Sequence, residues 1–220
     1  QSEEKRLVVD IGGRSTELIL GKGFKPQTME SYRVGSVKWS MKYFADGQFT
    51  PMAFEWAEVA AKAVLDEAIA LYPKNCWDVA YGSSGTIGAV ADVLQAAGWP
   101  EGVISREGLD WLKEKLIKAG RGDALRLEGV KEDRKPVIGG GLAVLCALFD
   151  LMQISSMQAA QGALRHGVLY DLLQREDNTD LRSTRVAALG NRFAVDALQA
   201  ERVKKTADTL FKGVFDKSTC

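Results

Sequence analysis

The sequence predicts an α/β domain with a mixed five-stranded sheet and flanking helices, followed by C-terminal helices. The stretch 7–21 has two apolar runs around a glycine pair, as in a β-hairpin, and 27–34 supplies a third antiparallel strand. Two later strands, at 77–81 and 155–160, are each followed by a helix, as in a sheet covered by helices. The polar segment 174–180 then separates this unit from a helical tail.

The first hairpin carries residues that suit a metal and phosphate site. If Gly13 and Arg14 form a two-residue turn, Asp10 faces Glu17 directly across the ladder, at roughly 5 Å. Two like charges at that separation are destabilising unless a cation lies between them, and carboxylates, hydroxyls and waters suit Mg²⁺. Gly12 and Gly13 lack Cβ, so a phosphate can approach backbone N–H groups there. The alternative is a tight hairpin whose acids are solvated.

Two helices are expected between the third and fourth strands. The first, over 36–44, has apolar residues at helical spacing, and Ser36 is expected to cap it. The second begins at Pro51, because a threonine followed by proline is a strong helix start, and it continues until the next proline. We expect it to bury a stripe that includes Trp56 and Val59.

A second anion site is predicted after the fourth strand. The loop Gly82, Ser83, Ser84, Gly85 and Thr86 lies between that buried strand and a helix of small and apolar residues. Unsatisfied N–H groups and the helix dipole point at such a loop and attract anions. The alternative is an ordinary strand-to-helix turn.

The later elements look mainly structural. An amphipathic helix is predicted over 106–118, followed by a polar connector at 120–135. The connector's charges at 131–135 are interpreted as a solvated surface, and a nucleotide or polyphosphate patch is the less favoured interpretation. A glycine cluster, 139–141, is expected to precede a buried helix at 142–152 and to let a ligand or a strand approach closely. The remaining predicted helices lie at 163–173, 182–191 and 196–212.

The composition is that of an ordinary globular protein. Lys plus Arg equals Asp plus Glu at 29 each among 220 residues, so the basic field that nucleic-acid binding needs is missing, and nucleic acid is not an expected partner. The longest apolar stretch, 142–152, is too short to cross a membrane and contains Asp150. Three scattered cysteines favour a reduced, cytoplasmic setting over a disulfide framework. A single histidine excludes His-based metal clusters.

The order of the elements resembles one half of the actin-like (ribonuclease H-like) fold of actin, hexokinase and the heat-shock chaperone ATPases. Within that superfamily the chain is similar to the family of exopolyphosphatases and guanosine pentaphosphate phosphatases. The similar segments are VVDIGGRSTELILG at 8–21, RVGSVKWSMKYF at 33–44, YGSSGTIGAVADVL at 81–94, GGGLAVLCALFD at 139–150 and GALRHGVLYDLL at 162–173. The segment at 180–193 resembles the start of the family's helical domain. The resemblance thus implies an actin-like domain at 1–174 and, at 175–220, a linker with the first helices of a helical domain.

The resemblance also implies roles for individual residues. Asp10 and Glu17 fall on the family's phosphate and metal motif. We expect both to hold Mg²⁺, directly or through its waters, and Glu17 also to orient the attacking water. The phosphate-binding residues that it implies are Gly12, Gly13, Ser15, Gly82, Ser83, Ser84, Gly85, Thr86 and Arg165. The family usually has glycine or alanine where this chain has Arg14, so Arg14 either points away from the site or adds an anion contact.

The activity implied by the resemblance is removal of terminal phosphates from inorganic polyphosphate by Mg²⁺-assisted attack of water. The first alternative is a guanosine pentaphosphate 5′-phosphatase, because the two activities share motifs. A non-catalytic module that binds an anion or alarmone is an alternative of a different class, and an actin-like assembly scaffold is a weaker one.

Family enzymes place the active site in a cleft between two such halves. The amino-terminal half supplies another phosphate loop and a glutamate thought to serve as general base. The resemblance therefore implies a missing N-terminal domain of the same protein as a partner. It also implies that this chain alone binds phosphate with little hydrolysis, and we expect that the full-length protein can form a homodimer.

Overall fold

The computed structural model describes residues 4–23, 25–160, 162, 166–169, 172, 186, 189–191 and 193–215. The chain divides into two compact units, Gln1–Ala163 and Leu164–Cys220. The predicted domain boundary between 174 and 175 lies outside the described residues and stays a prediction. The predicted helix at 163–173 and the one at 182–191 also lie largely outside them.

The described part of the first unit contains the predicted strands and helices in the predicted order, with one additional short strand and with the second predicted helix divided into two. Its strands are β1 (Lys5–Ile11), β2 (Thr16–Lys22), β3 (Lys25–Tyr32), β4 (Val79–Ser83), β5 (Val103–Ser105) and β6 (Ser156–Ala159). Its helices are α1 (Ser36–Tyr43), α2 (Pro51–Leu65), α3 (Ala68–Leu71), α4 (Gly85–Ala96), α5 (Arg106–Ala119) and α6 (Ile138–Leu151), with a 3₁₀ turn at Lys74–Cys76. The second unit contains α7 (Ala197–Phe215), which confirms the helix predicted at 196–212.

The sheet is mixed, as predicted, but it has six strands in the order β3-β2-β1-β4-β6-β5. The first three strands are antiparallel, and β1, β4 and β6 are parallel. The strand missing from the prediction is β5, which pairs antiparallel with β6 at the edge. Its three residues are too few to show a period, and Ser105 at its end also caps α5 by accepting a hydrogen bond from the Gly108 N–H.

Helix α6 is buried on every side, as its apolar sequence predicts, but the glycine cluster does not precede it. Gly139, Gly140 and Gly141 form its first turn and are themselves buried. A Cβ on Gly140 would lie 2.4 Å from the backbone nitrogen of Ser40 in α1. The hydroxyl of Ser40 also accepts a hydrogen bond from the Gly140 N–H at 3.1 Å. Helix α1 is therefore the element that approaches Gly140, while side chains of the surrounding core lie closest to the other two glycines, and neither a strand nor a ligand is needed to explain the cluster.

Helix α2 starts as predicted but presents a different face to the core. The hydroxyl of Thr50 accepts a hydrogen bond from the Ala53 N–H, and the helix ends at Leu65, well before the next proline. Trp56 and Val59, which were expected inside, are each 61% exposed. The ring of Phe54 lies 4.9 Å from that of Phe44, centroid to centroid, and this contact fixes the rotation of the helix. The residues buried instead are Phe54, Ala57, Ala61 and Leu65.

Gly140→Ala is expected to lower the free energy of unfolding by about 3 kcal/mol, because the new methyl group meets rigid backbone. The matched control is Gly88→Ala in α4, where a Cβ has nothing within 4 Å and alanine favours the helix by up to ~1 kcal/mol. Urea denaturation of both variants measures the difference. Equal stabilities would contradict the close packing of α6 on α1.

Candidate active site

The hairpin between β1 and β2 has the predicted register. Asp10 pairs with Glu17 and Ile11 with Thr16, and the Gly12 N–H donates to the Ser15 carbonyl at 2.9 Å. The turn at Gly13 and Arg14 therefore closes as expected. Directly opposed residues in an antiparallel pair share one face of the sheet, so both carboxylates lie on the same side.

The two carboxylates belong to a polar row that crosses four strands. In the sheet register Asp10 pairs with Ser83 of β4 on one side, and Glu17 pairs with Ser31 of β3 on the other. The Ser83 hydroxyl donates to the Asp10 carboxylate. The hydroxyls of Ser31 and Ser15 both donate to the same Glu17 oxygen, Oε1, at 2.7 Å each. These bonds hold Glu17 in one orientation and leave Oε2 without a hydrogen-bond partner among the described residues.

The pair is electrostatically strained. Partial burial of Asp10, and then the negative charge of Glu17, raise the pKa of Asp10 above its usual value near 3.8, although the hydrogen bond from Ser83 opposes the rise. Nothing in the described part of the chain supplies a cation between the two carboxylates, because neither residue forms an ion pair there. A bound cation would relieve the repulsion.

The tip of the hairpin is fixed against the start of α1. The N–H groups of Ser36 and Lys38 donate to the carbonyls of Gly12 and Gly13, at 2.9 and 3.0 Å. Gly35 permits this contact, because a Cβ there would lie 2.6 Å from a backbone nitrogen of the tip. Gly35 is also the cap of α1, so the expectation for Ser36 was wrong. The Ser36 hydroxyl instead donates to the Gly12 carbonyl at 3.2 Å.

These contacts occupy the carbonyls of the tip and leave its amides available. Within the described residues, the N–H groups of Gly13, Arg14 and Ser15 donate to no other backbone or side-chain group. Free N–H groups in successive residues of a turn form a concave anion-binding surface. The unpaired N–H groups of the tip are therefore donors that suit an oxyanion.

The second predicted loop connects β4 to α4, as expected. The Ser84 hydroxyl accepts from the Ile87 N–H at 3.3 Å, and its backbone has a φ of 121°, a region that non-glycine residues rarely adopt. Such strain costs about 1–3 kcal/mol and often occurs at functional sites.

Only part of this loop is near the surface. Ser83 and Ser84 are partly exposed and Gly85 is exposed, whereas Gly82 and Thr86 are buried. Gly82 packs on β6, since a Cβ there would meet Met157, and the Thr86 methyl packs on α6. Gly82 and Thr86 therefore shape the loop from the core side.

Arg134 is a cation at this loop that the sequence did not single out. One of its terminal nitrogens lies 2.7 Å from where a Cβ on Gly85 would stand, so the guanidinium covers the exposed first residue of α4. Its only ion pair among the described residues joins Nε to Asp133 at 3.3 Å. The connector 120–135 has no periodic pattern, and only the folded chain shows which of its charges meets the loop. The predicted anion-binding residue Arg165 lies outside the described residues.

The described residues contain no group of three or more His, Cys, Asp or Glu side chains that would hold a metal ion. Two carboxylates with neighbouring hydroxyls suit Mg²⁺, which usually takes one or two protein carboxylates and completes its shell with waters and substrate phosphates. In the same part of the chain, no helix has the length and hydrophobicity that crossing a membrane requires.

The model of the Ppx/GppA phosphatase family matches residues 1–176. The chain belongs to the Ppx/GppA phosphatase family. This confirms the resemblance drawn from the five segments and includes the chain in the actin-like ATPase superfamily. The matched range includes the hairpin, the loop between β4 and α4, and the connector that contains Arg134.

Named relatives and solved structures agree with the family. This Ppx/GppA chain is 36% identical over 208 residues to the guanosine-5′-triphosphate,3′-diphosphate pyrophosphatase of Vibrio atlanticus, an alignment that covers 94% of this chain and 42% of that protein. Its fold is similar to that of the Ppx/GppA enzyme of Aquifex aeolicus, with a TM-score of 0.64 and 24% identity over 76% of this chain and 56% of that one. An exopolyphosphatase from Cytophaga hutchinsonii gives a TM-score of 0.61 at 19% identity, over 78% and 58%.

The chain thus spans between two fifths and three fifths of the length of these proteins. Their shared fold is the actin-like domain with its mixed sheet and flanking helices.

Asp10→Asn is expected to raise the thermal unfolding midpoint of the metal-free protein at neutral pH. Because the pKa of Asp10 is raised in the folded state, ionisation destabilises that state as the pH rises from about 3.8 through the raised pKa. The advantage of Asn should therefore disappear at acid pH. Mg²⁺ should stabilise the wild type and not the variant.

The control is Glu114→Gln, which removes an exposed carboxylate from α5. It should show neither the pH-dependent gain nor the loss of the Mg²⁺ effect. A lower midpoint for Asp10→Asn at neutral pH, together with an unchanged response to Mg²⁺, would contradict the assigned strain and the metal site.

Proposed function

We propose that this chain forms one wall of the active site of a Mg²⁺-dependent phosphoric anhydride hydrolase, which releases terminal phosphates from inorganic polyphosphate. One observation carries the proposal: Asp10 and Glu17 lie opposite each other on one face of the sheet, next to a turn whose N–H groups have no hydrogen-bond partner among the described residues. Phosphoryl transfer asks a protein mainly for positioning and for neutralisation of charge. The hairpin offers acceptors for a metal and donors for a phosphate within a few residues.

Asp10 and Glu17 would hold Mg²⁺ directly or through its waters. When bound, the metal supplies charge neutralisation for the phosphoryl oxygens and relieves the repulsion between the two carboxylates. The fit rests on the raised pKa of Asp10 and on the oxygen-only set of nearby side chains. Mg²⁺ is therefore proposed for its fit to these residues.

Glu17 has a second proposed task, which is to orient the attacking water. Its Oε1 already accepts hydrogen bonds from Ser15 and Ser31, so Oε2 is the oxygen available to accept a hydrogen bond from that water. The amides of Gly13, Arg14 and Ser15 bind oxygens of the phosphate under attack. At the second loop, Ser84, Gly85 and the N-terminus of α4 bind a neighbouring phosphate.

The opposite wall of the cleft is proposed to come from an amino-terminal half of the same protein, which would also carry the general base. The length of the Vibrio relative supports this, since the alignment covers 42% of it. The described part of this chain, taken alone, is thus proposed to bind phosphate with little turnover. A cytoplasmic location and a homodimer of the full-length protein stay predictions.

The name of one relative favours a second candidate substrate, a guanosine nucleotide. The relative with 36% identity is named for a guanosine nucleotide with a 5′-triphosphate and a 3′-diphosphate. That substrate also ends in a phosphoric anhydride, so the same hairpin would serve it. Initial rates of phosphate release from long polyphosphate and from guanosine pentaphosphate, measured on the full-length protein, separate the two activities.

Glu17→Gln in the full-length protein is expected to reduce Mg²⁺-dependent phosphate release at least about a hundredfold, because it removes a metal ligand and the acceptor for the water. Phosphate release is measured by a colorimetric assay on both substrates. Glu114→Gln, an exposed acid on α5, is the control and should keep full activity. Near-normal turnover by Glu17→Gln would show that the assignment is wrong.

The same assay on the isolated 220-residue chain tests the two-walled site. Robust Mg²⁺-dependent phosphate release by this chain alone would overturn the proposal that the site needs a second wall.

Arg134→Gln in the full-length protein is expected to raise KM about three- to fivefold with a smaller effect on kcat, because it removes a partly exposed charge that lies against Gly85 of the second loop. The matched control is Lys131→Gln, which removes a charge from the same connector at a side chain that pairs with Asp92 and is not among the atoms closest to Gly85. If the two variants have the same KM, the guanidinium does not contact the substrate.

A further inference from the structure

A groove lies beside the hairpin tip, where the tip meets the start of α1. It has a volume of about 490 Å³. Its lining residues come from the tip, from the link after β3 and from one side of α1: Arg14, Ser15, Arg33, Val37, Lys38 and Met41. Its walls are held by the bonds from the α1 amides to the Gly12 and Gly13 carbonyls. The groove is therefore built before any ligand binds.

The groove is strongly positive. Three of its six lining residues are cationic and none is acidic. Within the described residues, Arg14, Arg33 and Lys38 form no ion pair with a carboxylate. The Lys38 ammonium donates to the Arg33 carbonyl at 3.1 Å, which keeps that charge at the groove. Three unneutralised cations around one cavity favour an anion with several charges.

The groove is continuous with the candidate active site through Ser15. That residue lines the groove, and its hydroxyl also donates to Glu17 at 2.7 Å. A phosphate held beside Glu17 by the turn amides would therefore have the rest of its chain next to the three cations. Arg14, the residue that departs from the family pattern, thus lines an anion-binding groove.

We propose that this groove binds the part of the substrate beyond the phosphate under attack, with Arg14, Arg33 and Lys38 contacting its remaining phosphate groups. The inference rests on the proposed function, since it requires a terminal phosphate at the hairpin. The shared chemistry is a chain of several phosphates, which inorganic polyphosphate and guanosine pentaphosphate both supply. The two differ in that only the nucleotide has a base and a sugar that Val37 and Met41 would contact.

The test is calorimetric binding of inorganic phosphate, long polyphosphate and guanosine pentaphosphate to this 220-residue chain with Mg²⁺. The double variant Arg33→Gln, Lys38→Gln should bind both long anions about tenfold more weakly, since each exposed cation contributes roughly three- to fivefold. Binding of inorganic phosphate should stay within about twofold, because that ligand contacts the amides alone. Added salt should weaken the long ligands more than inorganic phosphate.

Lys42→Gln is the matched control, because Lys42 is an exposed cation one turn further along α1 that lies over Tyr43 and outside the groove. Its affinities should equal those of the wild type, and thermal midpoints confirm that each variant is folded. The proposal is overturned if the double variant binds the long anions as tightly as Lys42→Gln. It is also overturned if inorganic phosphate weakens equally, or if the wild type binds neither long anion.

Met41→Ser distinguishes the two sources of the phosphate chain. Weaker binding of guanosine pentaphosphate alone supports the groove with the nucleoside as its occupant. Unchanged binding of both ligands supports the groove as a site for the phosphates only. The proposed hydrolytic function is tested separately: if Glu17→Gln in the full-length protein keeps near-normal turnover, that function is wrong. This result does not depend on the binding measurements, so failure of the groove proposal and failure of the proposed function can be told apart.

Discussion

The close backbone packing of α1 is the contact on which the site depends. At its start, Gly35 lets the hairpin tip approach, and two α1 amides bind the carbonyls of that tip. On its other side, Gly140 of α6 packs against the backbone at Ser40. A side chain at either glycine would push α1 away from a neighbour, since the contacted atoms are backbone. The position of the turn, and with it the proposed phosphate cradle, thus depends on two glycines that are themselves buried in the packing of α1.

The sheet register adds an electrostatic cost to this packing. Pairing of β1 with β2 and β4 leaves Asp10 between a carboxylate and a single hydroxyl donor, while Glu17 has two such donors. Burial of Asp10, and then the charge of Glu17, raise the pKa of Asp10. A fold selected for stability alone would place a neutral residue at one of the two positions, and strain of this kind is typical of functional sites.

Local features of the sequence predicted the parts of the fold that depend on neighbouring residues. Turn chemistry gave the register of Asp10 against Glu17, and the Thr-Pro pair gave the start of α2. Long-range contacts decided the rest: Gly140 of α6 packs on the backbone of α1, and α2 buries Phe54 against Phe44 while Trp56 is exposed. The brief edge strand β5 exists because β6 is available to pair with it. Arg134 reaches its loop through a non-periodic connector, which no local pattern predicts.

The charge distribution is compatible with the proposed anion site although the chain has no net charge. Equal numbers of basic and acidic residues argue against a broad field of the kind that nucleic acids need. They do not argue against phosphate, because the effect of a charge falls off over about 10 Å in physiological salt. Arg14, Arg33 and Lys38 share one groove without a carboxylate, and Arg134 covers the start of α4. The local excess of cations on either side of the carboxylate pair therefore matters more for substrate choice than the overall balance does.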